Sequence, residues 1–473
     1  MFSYKSTLIT ISFILVLFIL IHFIIDFDGL YGQDSYEYLR YTKALQLFYK
    51  TGVPPGDYFW PLFYPIIGSV FSFFFQSKIA LQLLSMFSLL IGSVYLSKII
   101  ALLFDKKVNP YLYVLIVFTL APTVFKLGIT IMSDMLTTLL IIVSLYNAII
   151  YYRHKTIQNL YAFLLFCMSA IMTRYAAFVV LLPFGLFVLN VFIRQRKHFK
   201  HIPLLLICSL IIVLPHIIIR NENTTQFLNH DWLTQWSFSN FFQRSFTTVD
   251  GISSNSLPNI LYAFSSLFHP RYLLIGIFIL PFFLKTKIIS SELKIIILSF
   301  VLYNLFLAGI PFQNSRFLLL SFPLAIIFLY PSFVYLYDKL ILNNNKKYFV
   351  IAILSIQAYL CSYSLKPILQ RNSLEKKIAN ELQKYQKNTL YSFDIDIALQ
   401  GRALDFNYKN LWLQRYPSFE KEALVLFHPT KFQQQWQGQN PILNWNVLKN
   451  NYQLNIIENL PEGWVLYKID EKN

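Results

Sequence analysis

Long apolar runs, cut by short polar and charged stretches, set the pattern of this chain. The runs fall at 7–25, 78–104, 110–130, 135–152, 160–173, 175–193, 202–219, 272–284, 293–310, 317–337 and 348–363. A helix rises about 1.5 Å per residue, so roughly twenty apolar residues cross a hydrocarbon core about 30 Å thick. The pattern predicts a mainly α, polytopic membrane protein with about eleven transmembrane helices. The first run carries no small-residue cleavage site and is followed by many others, so it reads as a retained helix. Residues 61–77 are apolar but short, and Pro61, Pro65 and Gly68 interrupt them. If this stretch stays outside the bilayer, the basic clusters 105–107, 153–155 and 194–201 all fall on one side, as the positive-inside tendency requires. That arrangement puts the N-terminus in the cytoplasm and the C-terminal tail outside.

Two loops and a tail break the apolar rhythm. The first external loop, 26–77, holds a helical segment at 35–50, too polar to span, whose Leu39, Ala44, Leu45, Leu47 and Phe48 form a face that can rest on the membrane. Asp34 stands at its head. A second external loop, 220–270, is long enough to expect function of it, and carries Trp232, Trp236 and His269. From 365 on the composition turns mixed and polar. A helix at 373–386 and strand-like runs at 389–393, 423–427, 454–457 and 464–469 predict a small external α/β domain. The expected division is therefore 1–364, a membrane domain, and 365–473, a soluble domain. Internal repeats are absent, and low complexity is confined to Asn343, Asn344 and Asn345.

Composition agrees with the pattern and removes whole classes of function. A chain of 473 residues with 56% hydrophobic and 13% charged residues is no soluble globule. The formal charge of +17 lies mostly in short loops between apolar runs, which makes it a topology signal and not a nucleic-acid footprint. No zinc spacing and no glycine-rich phosphate loop occurs. Cys167, Cys208 and Cys361 sit in separate apolar runs, where buried thiols are ordinary.

The candidate chemistry gathers at the outer ends of the runs. Asp34 has capping-box spacing with Glu37, so a structural reading stands beside a chemical one. Asp134 opens the run that returns inward, where a cap by Ser133 or Asp134 is the plain alternative. Arg174 occupies a hairpin tip, where arginine often snorkels. Arg316 opens a helix, and its guanidinium can grip a phosphate through two donors. Lys126, His269 and Arg271 read as interfacial residues, and Trp60, Trp232 and Trp236 suit either an aromatic belt or stacking on a sugar.

Asp34 in the first loop, the element Phe59-Trp60-Pro61-Leu62-Phe63-Tyr64-Pro65 after it, and the late Arg316-Phe317-Leu318-Leu319 resemble the GT-C glycosyltransferases. Within them the pattern is similar to the protein O-mannosyltransferase and aminoarabinose-transferase branch, over roughly residues 8–335. The resemblance implies a bacterial inner-membrane enzyme that moves a sugar from a polyprenyl-phosphate donor to an extracytoplasmic protein, lipid or glycan acceptor, with inversion. It implies Asp34 as the base, and Arg316, Arg174, Asp134, Trp60 and Tyr64 as substrate or phosphate contacts. Metal use varies across the family, so a divalent metal is compatible with it, while no metal-ligating residue is assigned here. The expected partners are membrane lipids, the donor and the acceptor, and nucleic acid is not one. Two rivals stand beside this reading: a lipid-linked glycan transporter or polymerase, which should show repeats and broken helices near the midplane, and a non-catalytic membrane scaffold.

Overall fold

The computed structural model describes residues 4–104, 108–220, 229–248, 251–254, 256–283, 290–340 and 345–472. The Lys106–Lys107 pair, the basic residues Lys285 and Lys287, and Asn343 and Asn344 lie outside them. The chain divides into two units: a larger one of 1–29, 41–244 and 256–366, and a smaller one of 30–40, 245–255 and 367–473.

The larger unit is helical. Its elements begin with α1 (Tyr4–Ile19), the second part of α2 (Gly32–Thr51), α3 (Phe63–Phe71), α4 (Ser77–Leu103), α5 (Pro110–Val114), α6 (Pro122–Ile129), α7 (Ser133–His154), α8 (Ile157–Thr173), α9 (Ala177–Arg194) and α10 (Ile202–Arg220). After the short turns α11 (Asp231–Thr234) and α12 (Asn259–Ala263) come α13 (Gly276–Phe283), α14 (Ser291–Gly309), α15 (Phe322–Tyr335) and the first part of α16 (Lys346–Leu382). Among the described residues, six helices are long and apolar enough to cross a membrane, and three shorter apolar ones accompany them. On α10, Leu206, Ile207, Leu210, Ile211 and Ile218 are exposed. An apolar face of that extent belongs against hydrocarbon.

Two expectations change, at 110–130 and at the end of the last apolar run. The run 110–130 is not one straight helix: Pro110–Thr119 and Pro122–Ile129 meet at 77°. Pro122, at the first position of α6, has no amide hydrogen to continue the preceding ladder. Residues 61–77 yield only the nine-residue α3, about 14 Å long at ~1.5 Å per residue and too short to span. The last apolar run does not end near 363 but continues as the 37-residue α16 into the polar stretch, because SLEKKIANEL is itself a good helix former.

Packing inside the bundle relies on small and polar residues that satisfy themselves. Along α4, the Ser88, Ser93 and Ser97 hydroxyls donate to carbonyls four residues back, and Ser93 also meets Thr119 at 2.8 Å. Such residues let helices approach closely where burial of apolar area drives nothing. At the end of α14, the Trp236 indole donates to the Phe306 carbonyl at 3.0 Å, and a Cβ on Gly309 would lie 2.2 Å from that ring. Trp236 is thus a clamp on α14.

The smaller unit joins residues 30–40, a hairpin of β1 (Ser245–Thr248) and β2 (Gly251–Ser254), and the C-terminal region. The latter contains α17 (Asp396–Gly401), α18 (Pro429–Gln435), α19 (Asn440–Asn451) and the strands β3 (Thr389–Ser392), β4 (Asn407–Asn410), β5 (Leu424–Phe427), β6 (Tyr452–Asn459) and β7 (Val465–Lys472). The sheet order is β4-β3-β5-β7-β6, with β3 parallel to β4 and β5, and β7 antiparallel to β5 and β6. All four residues of β5 are buried, as a central strand covered on both faces should be. Phe427 at its end stacks on Trp445 of α19 at 4.3 Å. The strand β4, reading NYKN, was not expected from its polar sequence.

Candidate functional site

The segment that carries Asp134 is fixed from three sides, all within the larger unit. Gln82 Nε2 donates to the Ile129 carbonyl at 2.9 Å, Ser85 Oγ to the Met132 carbonyl at 3.2 Å, and the Ile131 amide to the Gly29 carbonyl at 2.8 Å. Gly29 adopts φ +80°, and a Cβ there would press on Gln82 and Ile131 at 3.0 Å, so only glycine suits the approach. Asp134, in the first turn of α7, is 1% exposed. Its Oδ1 accepts from Nη1 of Arg174, while Oδ2 is buried with no hydrogen-bond partner. Arg174 therefore does not snorkel to water: it neutralises a buried carboxylate that keeps one lone-pair side open.

Arg316 is held by its backbone. Tyr272 donates to the Ser315 carbonyl at 2.6 Å, Tyr303 to the Phe317 carbonyl at 2.9 Å, and the Arg316 amide donates to Asn314 Oδ1 at 3.1 Å. Its guanidinium reaches Met132 Sδ at 3.6 Å. Arg174 and Arg316 each lie 5.6 Å from the ring centre of Phe317, so one aromatic ring borders both cations. Lys126 is half-buried and stands within the fields of Arg271 and Arg316. The Arg271 carbonyl accepts from the Thr123 amide at 3.0 Å, which ties it to the turn before Lys126. Lys126, Arg271 and Arg316 form a group of positive charges next to the Asp134–Arg174 pair.

His269 shows part of its ring to solvent. Burial of the remainder, and then the Arg271 charge, hold its imidazole below the usual range. Its Nδ1 accepts from the Arg271 amide at 3.2 Å, so the neutral ring carries its proton on Nε2. Burial pushes the nearby Tyr262 hydroxyl up, with Ser315 and Arg271 offsetting part of the effect.

Trp60 and Tyr64 also belong to the larger unit. The Trp60 carbonyl accepts from Arg220 Nη2 at 3.2 Å. Tyr64 is fully buried, with its hydroxyl 3.2 Å from the Leu81 carbonyl and 3.1 Å from Ser85 Oγ, and it fastens α3 to α4. The Trp232 side chain lies outside the described residues.

Asp34 belongs to the smaller unit. The helix α2 starts at Gly32, so Asp34 sits inside its first turn and not ahead of it, and the Glu37 carboxylate is engaged by Arg40 at 2.8 Å. Asp34 is therefore not at the position ahead of the helix that the spacing suggested. Ser35 closes the entry to the helix, accepting from the Tyr31 amide at 2.9 Å and donating to the Tyr31 carbonyl. In a first helical turn, free amides and the macrodipole favour a negative charge. Two residues on, Tyr36 donates to Glu375, and Arg402 Nη2 reaches the Tyr36 hydroxyl at 3.0 Å. Asn372 Nδ2 holds the Leu30 carbonyl at 2.9 Å. The turn of Asp34 is thus bound to the C-terminal region.

Among the described residues no group of three or more His, Cys, Asp or Glu side chains gathers. The sequence did not single out Asp28, 8% exposed with Lys78 Nζ 3.8 Å away, or Arg220, 7% exposed. The only sequence signals were an acidic residue at the close of the first apolar run and an arginine at the close of another.

Spanning helices, a broken helix pair and a C-terminal mixed sheet define a polytopic α-helical membrane protein with a small α/β domain. No family model and no curated protein matches the chain. Its fold is similar to that of a solved membrane protein, ArnT. ArnT from Cupriavidus metallidurans in the apo state superposes with a TM-score of 0.59 at 12% identity, over 96% of this chain and 98% of that one. The same protein bound to undecaprenyl phosphate gives 0.56 at 11%, over 96% and 97%. The mainly α, polytopic fold with a small C-terminal α/β domain, expected from the sequence, is the fold found.

Proposed function

We propose that this protein is a membrane glycosyltransferase that takes a sugar from a polyprenyl phosphate and passes it to an acceptor on the extracytoplasmic face of a bacterial inner membrane. The observation that carries the reading is the group of Lys126, Arg271 and Arg316 beside the buried Asp134–Arg174 pair, in a chain whose fold is ArnT's over nearly its whole length. The solved ArnT that holds undecaprenyl phosphate supports the same class of donor.

On this reading the three cations hold the donor phosphate and take up the charge that grows on it as the bond to the sugar breaks. Asp34 is proposed as the general base, on the first-loop pattern. Its carboxylate takes the proton of the acceptor hydroxyl, the acceptor oxygen bonds to the anomeric carbon, and the carbon–oxygen bond to phosphate breaks, releasing polyprenyl phosphate. Attack opposite the phosphate inverts the anomeric centre. The open Oδ2 of Asp134 is a second acceptor for a substrate hydroxyl.

The test is release of free polyprenyl phosphate from a panel of polyprenyl-phosphate sugars by purified protein in lipid, with cell-envelope acceptor, for wild type and Asp34→Asn. Turnover that the substitution abolishes in a folded protein establishes the reaction class and the base. Equal turnover in both removes Asp34 as the base and keeps the transferase. No release from any donor overturns the proposal. A transporter of lipid-linked glycan is the second reading, favoured by the 77° break between Pro110–Thr119 and Pro122–Ile129. It predicts movement of a labelled lipid-linked sugar across proteoliposomes without phosphate release.

A further inference from the structure

Arg220 ends α10 and lines a cavity of about 220 Å³ with Tyr41, Asp57, Tyr58, Phe59 and Ile219. Only 7% of the residue is exposed. Its Nη2 donates to the carbonyls of Tyr58 and Trp60, but Nε and Nη1 are buried without hydrogen-bond partners. Among the described residues no ion pair of Arg220 with a carboxylate is found. A guanidinium out of water needs both a counter-charge and acceptors for its donors, and the protein supplies only carbonyls. Tyr41 and Tyr58 stack at 4.1 Å as one wall of the cavity, a flat aromatic face of the kind a sugar ring can lie against.

Tyr175 links the surroundings of this cavity to Arg174. Tyr175, next to Arg174 in the chain, places its hydroxyl 3.0 Å from His216 Nε2 and lies in the field of Arg220. Lys126, Arg271 and Arg316 do not line the cavity. We propose that the Arg220 cavity is a second anion subsite, which holds a carboxylate or phosphate oxyanion on the acceptor. The acceptor is then an acidic glycan or a phosphate-bearing one. The word acceptor rests on the transferase reading, but the oxyanion site does not.

The experiment is thermal unfolding of the full-length protein in lipid nanodiscs, titrated with glucuronate, inorganic phosphate and uncharged methyl glucoside. Glucuronate is expected to raise the unfolding midpoint saturably in wild type and in Arg316→Gln, and not in Arg220→Gln. An undiminished shift in Arg220→Gln, or an equal shift from methyl glucoside, overturns the site. Should Arg220→Gln fail to fold, Asp57→Asn decides. Asp57 is exposed, and removing its negative charge from the rim is expected to tighten glucuronate binding several-fold; unchanged or weaker binding sinks the idea. A last arm separates the sources. With undecaprenyl phosphate at saturation, a glucuronate shift that persists supports an acceptor oxyanion, and one that vanishes returns the cavity to the donor. None of these readouts requires turnover, so failure of the site and failure of the transferase reading are distinguishable.

Discussion

The hydroxyl of Tyr36 donates to the carboxylate of Glu375, 339 positions further along the chain. Glu375 is 2% exposed and is engaged on its other oxygen by Arg371 Nε at 2.6 Å, with Arg402 Nη2 at 3.7 Å from the shared oxygen. Gly401 lies against the same tyrosine, since a Cβ there would come 2.3 Å from the ring. A C-terminal helix and α17 therefore hold the turn that presents Asp34. Tyr36→Phe removes one hydrogen bond to a buried carboxylate, at a cost of about 1–3 kcal/mol. Turnover is expected to fall while donor KM stays constant, as steady-state kinetics in nanodiscs would reveal; a lower unfolding midpoint with unchanged turnover would limit Tyr36 to stability.

Arg174 and Asp134 form a pair that the fold has taken out of water. Arg174→Gln leaves a carboxylate at 1% exposure without its charge partner, and loss of one member of such a pair costs about 3–5 kcal/mol. A marked drop in the unfolding midpoint is expected. Adding Asp134→Asn should restore most of it, because the stranded charge is then gone. If the double variant is no more stable than the single one, the pair is not the reason for the loss.

Arg316→Gln is expected to raise donor KM roughly 10- to 100-fold, from the ~1.5–3 kcal/mol carried by a hydrogen bond to a charged group. Lys126→Gln should act in the same direction. Lys421→Gln, on the surface of the sheet domain where Lys421 meets Glu471 at 3.0 Å, serves as the control of equal charge loss. Equal KM for all three proteins would exclude a donor phosphate at the cationic group.

Asp396 is buried in the smaller unit, and burial pushes its carboxyl above the usual range, although Asn410 Nδ2 at 2.6 Å offsets part of that. A folded-state pKa above the unfolded one means that the native protein binds the proton more tightly. This group's contribution to stability is therefore greatest below the ordinary Asp value and declines as pH rises through the folded pKa. Asp396→Asn removes that dependence, so its unfolding midpoint should vary less with pH across the acid range than wild type. Parallel midpoint curves would show that Asp396 is no source of the slope.

What was legible in the sequence depended on properties local to each segment. Run lengths marked some apolar helices within a residue: 78–104 became Ser77–Leu103, and 202–219 became Ile202–Arg220. Four of the five strands of the C-terminal sheet stood out through apolar or β-branched residues, whereas Asn407–Asn410 did not. That strand is an edge and pairs only with β3, so its ladder owes little to its side chains. Hydrophobicity and intrinsic propensity act within a few residues, and a reader of the chain can add them up.

Tertiary structure alone decided which charges meet. Arg220 resembled any basic residue flanking an apolar run until the carbonyls of Tyr58 and Trp60, some 160 positions earlier, enclosed it. Asp134 and Arg174 looked like two separate loop residues, and Tyr36 and Glu375 shared no local signal at all. The 77° turn before Pro122 was equally out of reach, for proline announces a break in a helix but not the direction taken after it. Desolvation and charge pairing depend on distance in space, and helices that follow one another closely in sequence can bring almost any two polar residues together or keep them apart.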